Sequence, residues 1–157
     1  MRADKRRLEF LKQDAVQGFT ELIGLKPVSM KPGRFVTRIK MSRRLAQQDG
    51  FAHAGLLATM VDHTAGYAAF TLAPEDHRIL TVEYKINYLK PVSGEFIECR
   101  ANVLKPGRQI MVCEAEIFSI TGRKKLLCAK AILTMASVPG DRVKGPKMHL
   151  RSLETRV

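Results

Sequence analysis

Leu8, Leu11, Ala15, Phe19 and Leu22 recur at helical spacing with polar residues between them. The spacing predicts an amphipathic helix over about residues 3–18, punctuated at its end by Gly18 and Gly24. After the turn Lys31-Pro32-Gly33 the period drops to two. Phe35, Thr37, Ile39 and Met41 alternate with Arg34, Val36, Arg38 and Lys40, which predicts a half-buried strand. A loop over residues 43–50 leads into a segment from Ala54 to about Leu72 that is apolar almost all round and free of proline. It is too long for one strand and reads as a helix buried on most sides, ended by Ala73-Pro74-Glu75-Asp76.

Residues 79–89, 95–104, 108–120 and 126–136 then form four runs of strand character. Between them lie turn signals at Lys90-Pro91 with Ser93-Gly94, at Lys105-Pro106-Gly107 and at Thr121-Gly122. Short turns imply that consecutive strands pair antiparallel. In the first run Val82, Tyr84, Ile86 and Tyr88 alternate with Thr81, Glu83, Lys85 and Asn87, which predicts two distinct faces. The economical arrangement is α+β, with an antiparallel sheet wrapped around one apolar helix. The sheet edges left over call for a homo-oligomer, a dimer or a dimer of dimers, joined edge to edge. No repeat or linker divides the chain. A single domain is expected over residues 1–137, including the N-terminal amphipathic helix, with a basic extended tail over 138–157.

Composition narrows the function classes. A length of 157 residues suits one core, and 45% hydrophobic content argues against disorder. The net charge of +12 favours anionic partners, among them nucleic acid, acidic membranes and phosphorylated small molecules. The charge is dispersed: residues 1–12 and 138–157 each carry five Lys/Arg against two acids, and the rest sits in turns and strands. An aromatic content of 6% offers no base-stacking platform, so nucleic acid is disfavoured. No apolar run has membrane-spanning length, and no signal core follows the charged N-terminus, so a cytoplasmic protein is expected. Cys99, Cys113 and Cys128 are odd in number and lack Cys-x-x-Cys spacing. They read as small buried hydrophobes in a reducing compartment, with neither a disulfide framework nor a metal site. No Gly-rich phosphate loop, Gly-x-Ser-x-Gly elbow or metal-ligand cluster occurs, so no cofactor is expected.

The candidate chemistry lies in the long helix. Asp62 stands among Leu57, Met60, Val61, Ala65 and Gly66, where a carboxylate needs satisfying partners. A structural carboxylate bonded across an interface would meet that need as well as a catalytic one. The helix start, Phe51-Ala52-His53-Ala54-Gly55, supplies unpaired N–H groups and partial positive charge. Ala54 and Gly55 let a ligand approach that backbone, as a tetrahedral oxyanion requires. His53 and Asp62 are nine residues apart, about 13 Å along a helix. One chain cannot easily bring both to one carbonyl, whereas two antiparallel copies of the helix can.

The order Gln47, His53-Ala54-Gly55, Asp62, then Thr81-Val82 running to Tyr88-Leu89-Lys90-Pro91, resembles the hotdog-fold acyl-CoA thioesterases. The similarity is to the phenylacetate-pathway type within the 4-hydroxybenzoyl-CoA thioesterase-like superfamily, and it extends over roughly residues 20–136. The family pattern is Asn, His-Gly-Gly, a helix Asp and a strand ending Tyr-x-x-Pro. The resemblance implies that Asp62 activates water or attacks the thioester itself. It implies that the Ala54 N–H polarises the carbonyl beside His53 and Gly55. Gln47 stands for the asparagine that orients water or leaving group, and Thr81 for a hydroxyl near the carboxylate. It also implies an acyl-CoA substrate, with Lys105 and Arg108 as candidate phosphate contacts. Ala54 for glycine and Gln47 for asparagine are departures. They leave as an alternative a hotdog module that binds acyl-CoA without hydrolysing it. A hydroxyacyl dehydratase is a weaker third reading, because its local pattern is missing. His63 is expected to pack rather than react, Tyr67 to be core, and His77 and Arg78 to lie in a solvated loop.

Overall fold

A computed structural model describes residues 4–143. Helix α1 (Lys5–Asp14) starts where the Asp4 carboxylate accepts from the Arg7 N–H at 2.7 Å. The expected first helix ends at Asp14, and a second short helix, α2 (Phe19–Leu22), follows it. Strand β1 (Lys26–Lys31) was not legible as a strand. It contains Pro27, it buries only Met30, and as a sheet edge it needs no alternation. A tight turn at Pro32-Gly33 joins it to β2 (Arg34–Lys40), the strand the sequence predicts. Gly33 has φ +71°, and its N–H donates to Thr71 Oγ at 2.7 Å, so this turn is tied to the far end of the central helix.

That helix, α3 (Ala54–Phe70), packs against β2 and against the four strands that follow it. They are β3 (His77–Tyr88), β4 (Phe96–Lys105), β5 (Ile110–Thr121) and β6 (Lys124–Pro139). His77 and Arg78 thus begin a strand rather than lie in a loop. β6 runs two residues into the stretch assigned to the tail, and residues 144–157 of that tail lie outside the described residues. The sheet has six antiparallel strands in the order β1-β2-β4-β5-β6-β3. The expected hairpin between the first two strands after the helix does not form. β3 crosses over to pair with β6, because Pro91 and the loop around it carry the chain across rather than back. β3 is therefore an edge.

Inner-face residues Phe35, Ile97, Ile117 and Leu133 meet Met60 and Val61 of α3, all essentially without exposure. Each such burial is worth about 1.5–3 kcal/mol. One polar pair sits inside this core, the Thr37 and Thr64 hydroxyls 2.8 Å apart. The three cysteines are buried and free, and desolvation pushes the Cys99 thiol up to about 12 and the Cys113 thiol to about 11. On the opposite, outer face Glu98 is enclosed by cations. It accepts from Arg38 Nη2 at 2.5 Å, Arg100 Nε at 2.9 Å and Lys125 Nζ at 2.5 Å.

Candidate active site

α3 is not buried on most sides in the single chain. A half-covered stripe includes Ala58, Thr59, Asp62, His63 and Gly66, so Asp62 is reachable rather than sealed in apolar surroundings. Its neighbour across the groove is β3: Thr81 Oγ donates to Asp62 Oδ1 at 2.6 Å. A β-bulge between Thr81 and Glu83 makes this contact possible. Thr81 pairs with Met135 and Tyr84 with Leu133, both core-facing positions, so the bulge puts Thr81 on the same face as Tyr84 and Tyr88. The simple alternation expected of this strand had set Thr81 on the opposite face.

The helix start has a specific pattern of donors. His53 is the N-cap, with φ −63° and ψ 135°, and its Nδ1 accepts from the Gly55 N–H at 2.9 Å. Its carbonyl accepts from the Leu56 and Leu57 N–H groups. Of the four N–H groups that open α3, the one on Ala54 has no acceptor among the described residues. His53 thereby acts on the site by consuming its neighbours' donors and leaving Ala54 free. Ala54 is held from the other side as well, because Tyr88 Oη donates to its carbonyl at 3.1 Å. Tyr88 was visible only as part of the Tyr-x-x-Pro pattern; its contact with the helix start depends on the bulge. Burial, with Tyr84 nearby, raises its phenol, so it remains a donor.

A hollow of about 320 Å3 opens beside Ala54 on the β3 flank, with Gln47, Phe51, Leu57, Tyr88 and Lys90 around it. Gln47 is thus brought to the helix start, although its Oε1 accepts from the Asp49 N–H within its own turn. Lys105 and Arg108 are not brought there. They belong to the exposed β4–β5 hairpin, and Arg108 lines a separate hollow with Arg7, Thr71 and His77 at the C-terminal end of α3. The carboxylate and the free N–H are also apart in one chain, since Asp62 lies two turns into the helix that Ala54 begins.

The other singled-out side chains fasten the N-terminal segment to α3. The Ala15 carbonyl accepts from His63 Nε2 at 2.8 Å, and Tyr67 Oη donates to Asp14 Oδ2 at 2.8 Å. Burial lowers the His63 imidazole, against the Ala15 bond and the charges of Asp62 and Asp14. Burial and Asp14 raise the Tyr67 phenol. Arg7 Nη2 donates to the carbonyls of Phe70 at 3.0 Å and Ala73 at 2.7 Å, satisfying the open end of α3 from another element. Among the described residues no group of His, Cys, Asp and Glu is arranged to hold a metal ion. No described helix is long and apolar enough to cross a membrane.

The profile of the thioesterase superfamily matches residues 49–125, the stretch from the helix start to the β5–β6 hairpin. A crystal structure of a thioesterase family protein from Silicibacter pomeroyi superposes with a TM-score of 0.81 at 34% identity, covering 85% of this chain and 99% of that one. The chain belongs to the thioesterase superfamily. Its fold is accordingly the hotdog fold of that family. The 1,4-dihydroxy-2-naphthoyl-CoA hydrolase of Listeria monocytogenes is 26% identical over 71% of this chain and 89% of its own. Human acyl-coenzyme A thioesterase 13 is 28% identical over 64% of this chain and 73% of its own.

Proposed function

We propose that this protein hydrolyses an acyl-CoA thioester to the free acid and CoA, at a site that two copies of the chain share. The observation that carries this reading is the free Ala54 N–H at the start of α3, on the same helix as a carboxylate held by Thr81. The thioester oxygen binds the Ala54 N–H, which strengthens as that oxygen becomes an anion. Asp62 from the other copy takes a proton from water as the water attacks, or adds to the carbonyl carbon itself. Collapse of the tetrahedral intermediate expels the CoA thiolate; where Asp62 itself has added, water then hydrolyses the resulting anhydride to the free acid and regenerates the carboxylate. Tyr88 and His53 keep the donor in place from either side. Relatives named as CoA thioester hydrolases support the substrate class.

Edge strand β3 supports the sharing. Leu80, Val82, Tyr84 and Tyr88 are exposed along it, and among the described residues its outer hydrogen-bonding edge has no strand partner. Pairing of two such edges would carry each Asp62 toward the other chain's helix start. In one chain Lys105 and Arg108 lie away from Ala54, at the far end of α3, so as contacts to the CoA phosphates they would have to come from the other copy; the cytoplasm is the compartment assigned to the protein. The test is a panel of aryl- and fatty acyl-CoAs, with wild type and Asp62→Asn compared by release of free thiol. The variant is expected to lose about 10²–10⁴ in kcat. Equal turnover would overturn the mechanism, and tight binding by a wild type that does not turn over would leave the non-hydrolytic module.

A further inference from the structure

We infer that the CoA arm of the substrate runs along the C-terminal half of α3, in a groove walled by α1, and that Arg6, Arg7, Arg78 and Arg108 hold its phosphates; this rests on the thioesterase reading above. The groove begins at the carboxylate. Asp62, Gly66 and Phe70 are spaced by four, so they form one row on the helix. Gly66 is half-exposed, and a Cβ added there would meet no atom within 4 Å, so the row is open between its two ends. At Phe70 it enters a hollow of about 850 Å3, with Arg6 and Phe10 of α1 on one wall and Arg78 of β3 on another. This hollow shares Asp4, Arg7 and Glu75 with the hollow of about 840 Å3 that Arg108 lines, so the two meet at Arg7. One path therefore leads from Asp62 to the β4–β5 hairpin.

Its length fits the arm. Thr71, on the far hollow, lies nine residues beyond Asp62, about 13 Å along the helix. The pantetheine part of CoA matches a few residues of extended chain, about 14 Å. A thioester attacked at Asp62 thus delivers its pyrophosphate to the Arg7 end of the path. In the shared site this Asp62 belongs to the copy opposite the Ala54 N–H. One chain binds the oxygen, and the other carries the CoA arm.

The lining selects the arm with phosphates. Four arginines stand along the path against three acids, and the acids are engaged. Asp4 caps α1, and Asp14 accepts from Tyr67 Oη and Gln17 Nε2. Glu75 faces Arg7, 3.7 Å from its Nη1. Arg7 is otherwise held by the Phe70 and Ala73 carbonyls, which fix the guanidinium without cancelling its charge. Arg6, Arg78 and Arg108 are exposed and have no ion-pair partner among the described residues. Arginine presents paired N–H groups that match phosphate oxygens, and a hydrocarbon acyl arm has nothing to accept them with.

The experiment titrates CoA and pantetheine calorimetrically into wild type, Arg6→Ala, Arg108→Ala, Gly66→Leu and a control, Arg123→Ala. Arg123 is exposed in the β5–β6 turn, at the other end of β5 from Arg108. Steady-state kinetics follow octanoyl- and phenylacetyl-CoA beside the matching acyl-pantetheines. Wild type should bind CoA more tightly than pantetheine. Arg6→Ala and Arg108→Ala should each weaken CoA about tenfold and leave pantetheine unchanged. They should raise KM for the acyl-CoAs and leave kcat alone, as loss of uniform binding does. Gly66→Leu, which fills the row, should weaken both ligands alike at unchanged sedimentation. Turnover with CoA affinity and KM unmoved by either arginine variant would overturn the assignment and leave the thioesterase reading standing. No turnover, with CoA binding weakened in the same variants, would sustain the assignment and sink hydrolysis. Equal binding of CoA and pantetheine by wild type, or an equal loss in Arg123→Ala, would overturn the assignment by itself. A smaller sedimenting species in Gly66→Leu would overturn the path, since the row would then seat the other copy.

Discussion

Glu98 is a single residue whose chemistry can be followed by titration. Burial alone would raise its carboxyl, but hydrogen bonds from Lys125, Arg38 and Arg100 outweigh burial and hold it down at about 2. A carboxylate with a depressed folded pKa contributes its stability above the unfolded value and loses it as pH falls toward the folded one. Glu98→Gln should therefore destabilise the protein by about 2 kcal/mol near neutrality. The gap between variant and wild type in urea unfolding should close as pH falls from about 4.5 to about 2. Residues also differ in how plainly a sequence announces them. Asp62, His53 and Ala54 could be singled out from sequence because the roles proposed for them depend on position along one helix. Tyr88 and the facing of Thr81 were not, because a single bulge decides both. A bulge reverses the alternation on which a reading of strand faces depends.

Among the elements, the fate of α1 and α2 depends on α3. Arg7, His63 and Tyr67 join them through carbonyls and a carboxylate far away in sequence. Arg7→Ala should cost about 1.5–3 kcal/mol, because it leaves two helix-end carbonyls without a charged donor. Thermal melts would show the loss, and limited proteolysis would show cleavage before Gly24 ahead of the core. His63 adds a pH dependence of defined sign. Its imidazole is lowered in the folded chain, so the unfolded chain binds more protons below its ordinary value of 6.5. Stability should fall as pH drops below 6.5, and His63→Gln should flatten that part of the profile in melts recorded across pH. The helix pattern revealed where α1 begins, while β1 stayed hidden, since an edge strand with one buried residue leaves almost no periodic trace. The β3–β6 pairing was likewise out of reach, because turn residues announce a change of direction and not the partner that follows.

For the molecule as a whole, the decisive question is whether two chains complete one site. Ala54→Pro removes only the N–H at the first helical position, where proline is tolerated, and His53 already has the extended backbone that a following proline needs. Asp62→Asn and Ala54→Pro should each be inactive alone. Unfolded together in equal amounts and refolded, half of the dimers should be mixed, and each mixed dimer should carry one intact site. The mixture should regain about a quarter of wild-type activity. A site contained in one chain would regain none. Val82→Asp should shift sedimentation toward the monomer and lower activity in step, as a charge on an edge strand opposes pairing. The sequence called for such an assembly through its uncovered edges, and the exposed apolar residues on β3 mark the edge in question.

The crossover also sets a timetable. Thr81 and Met135, paired across β3 and β6, are 54 positions apart in the chain. During synthesis, the strand that positions the carboxylate must wait for the last strand before it has anything to pair with. Contacts between residues so distant in sequence close slowly. On refolding, helical circular dichroism should return before thioester cleavage does. The chemistry of this protein would then be the last thing it acquires, after its core is already in place.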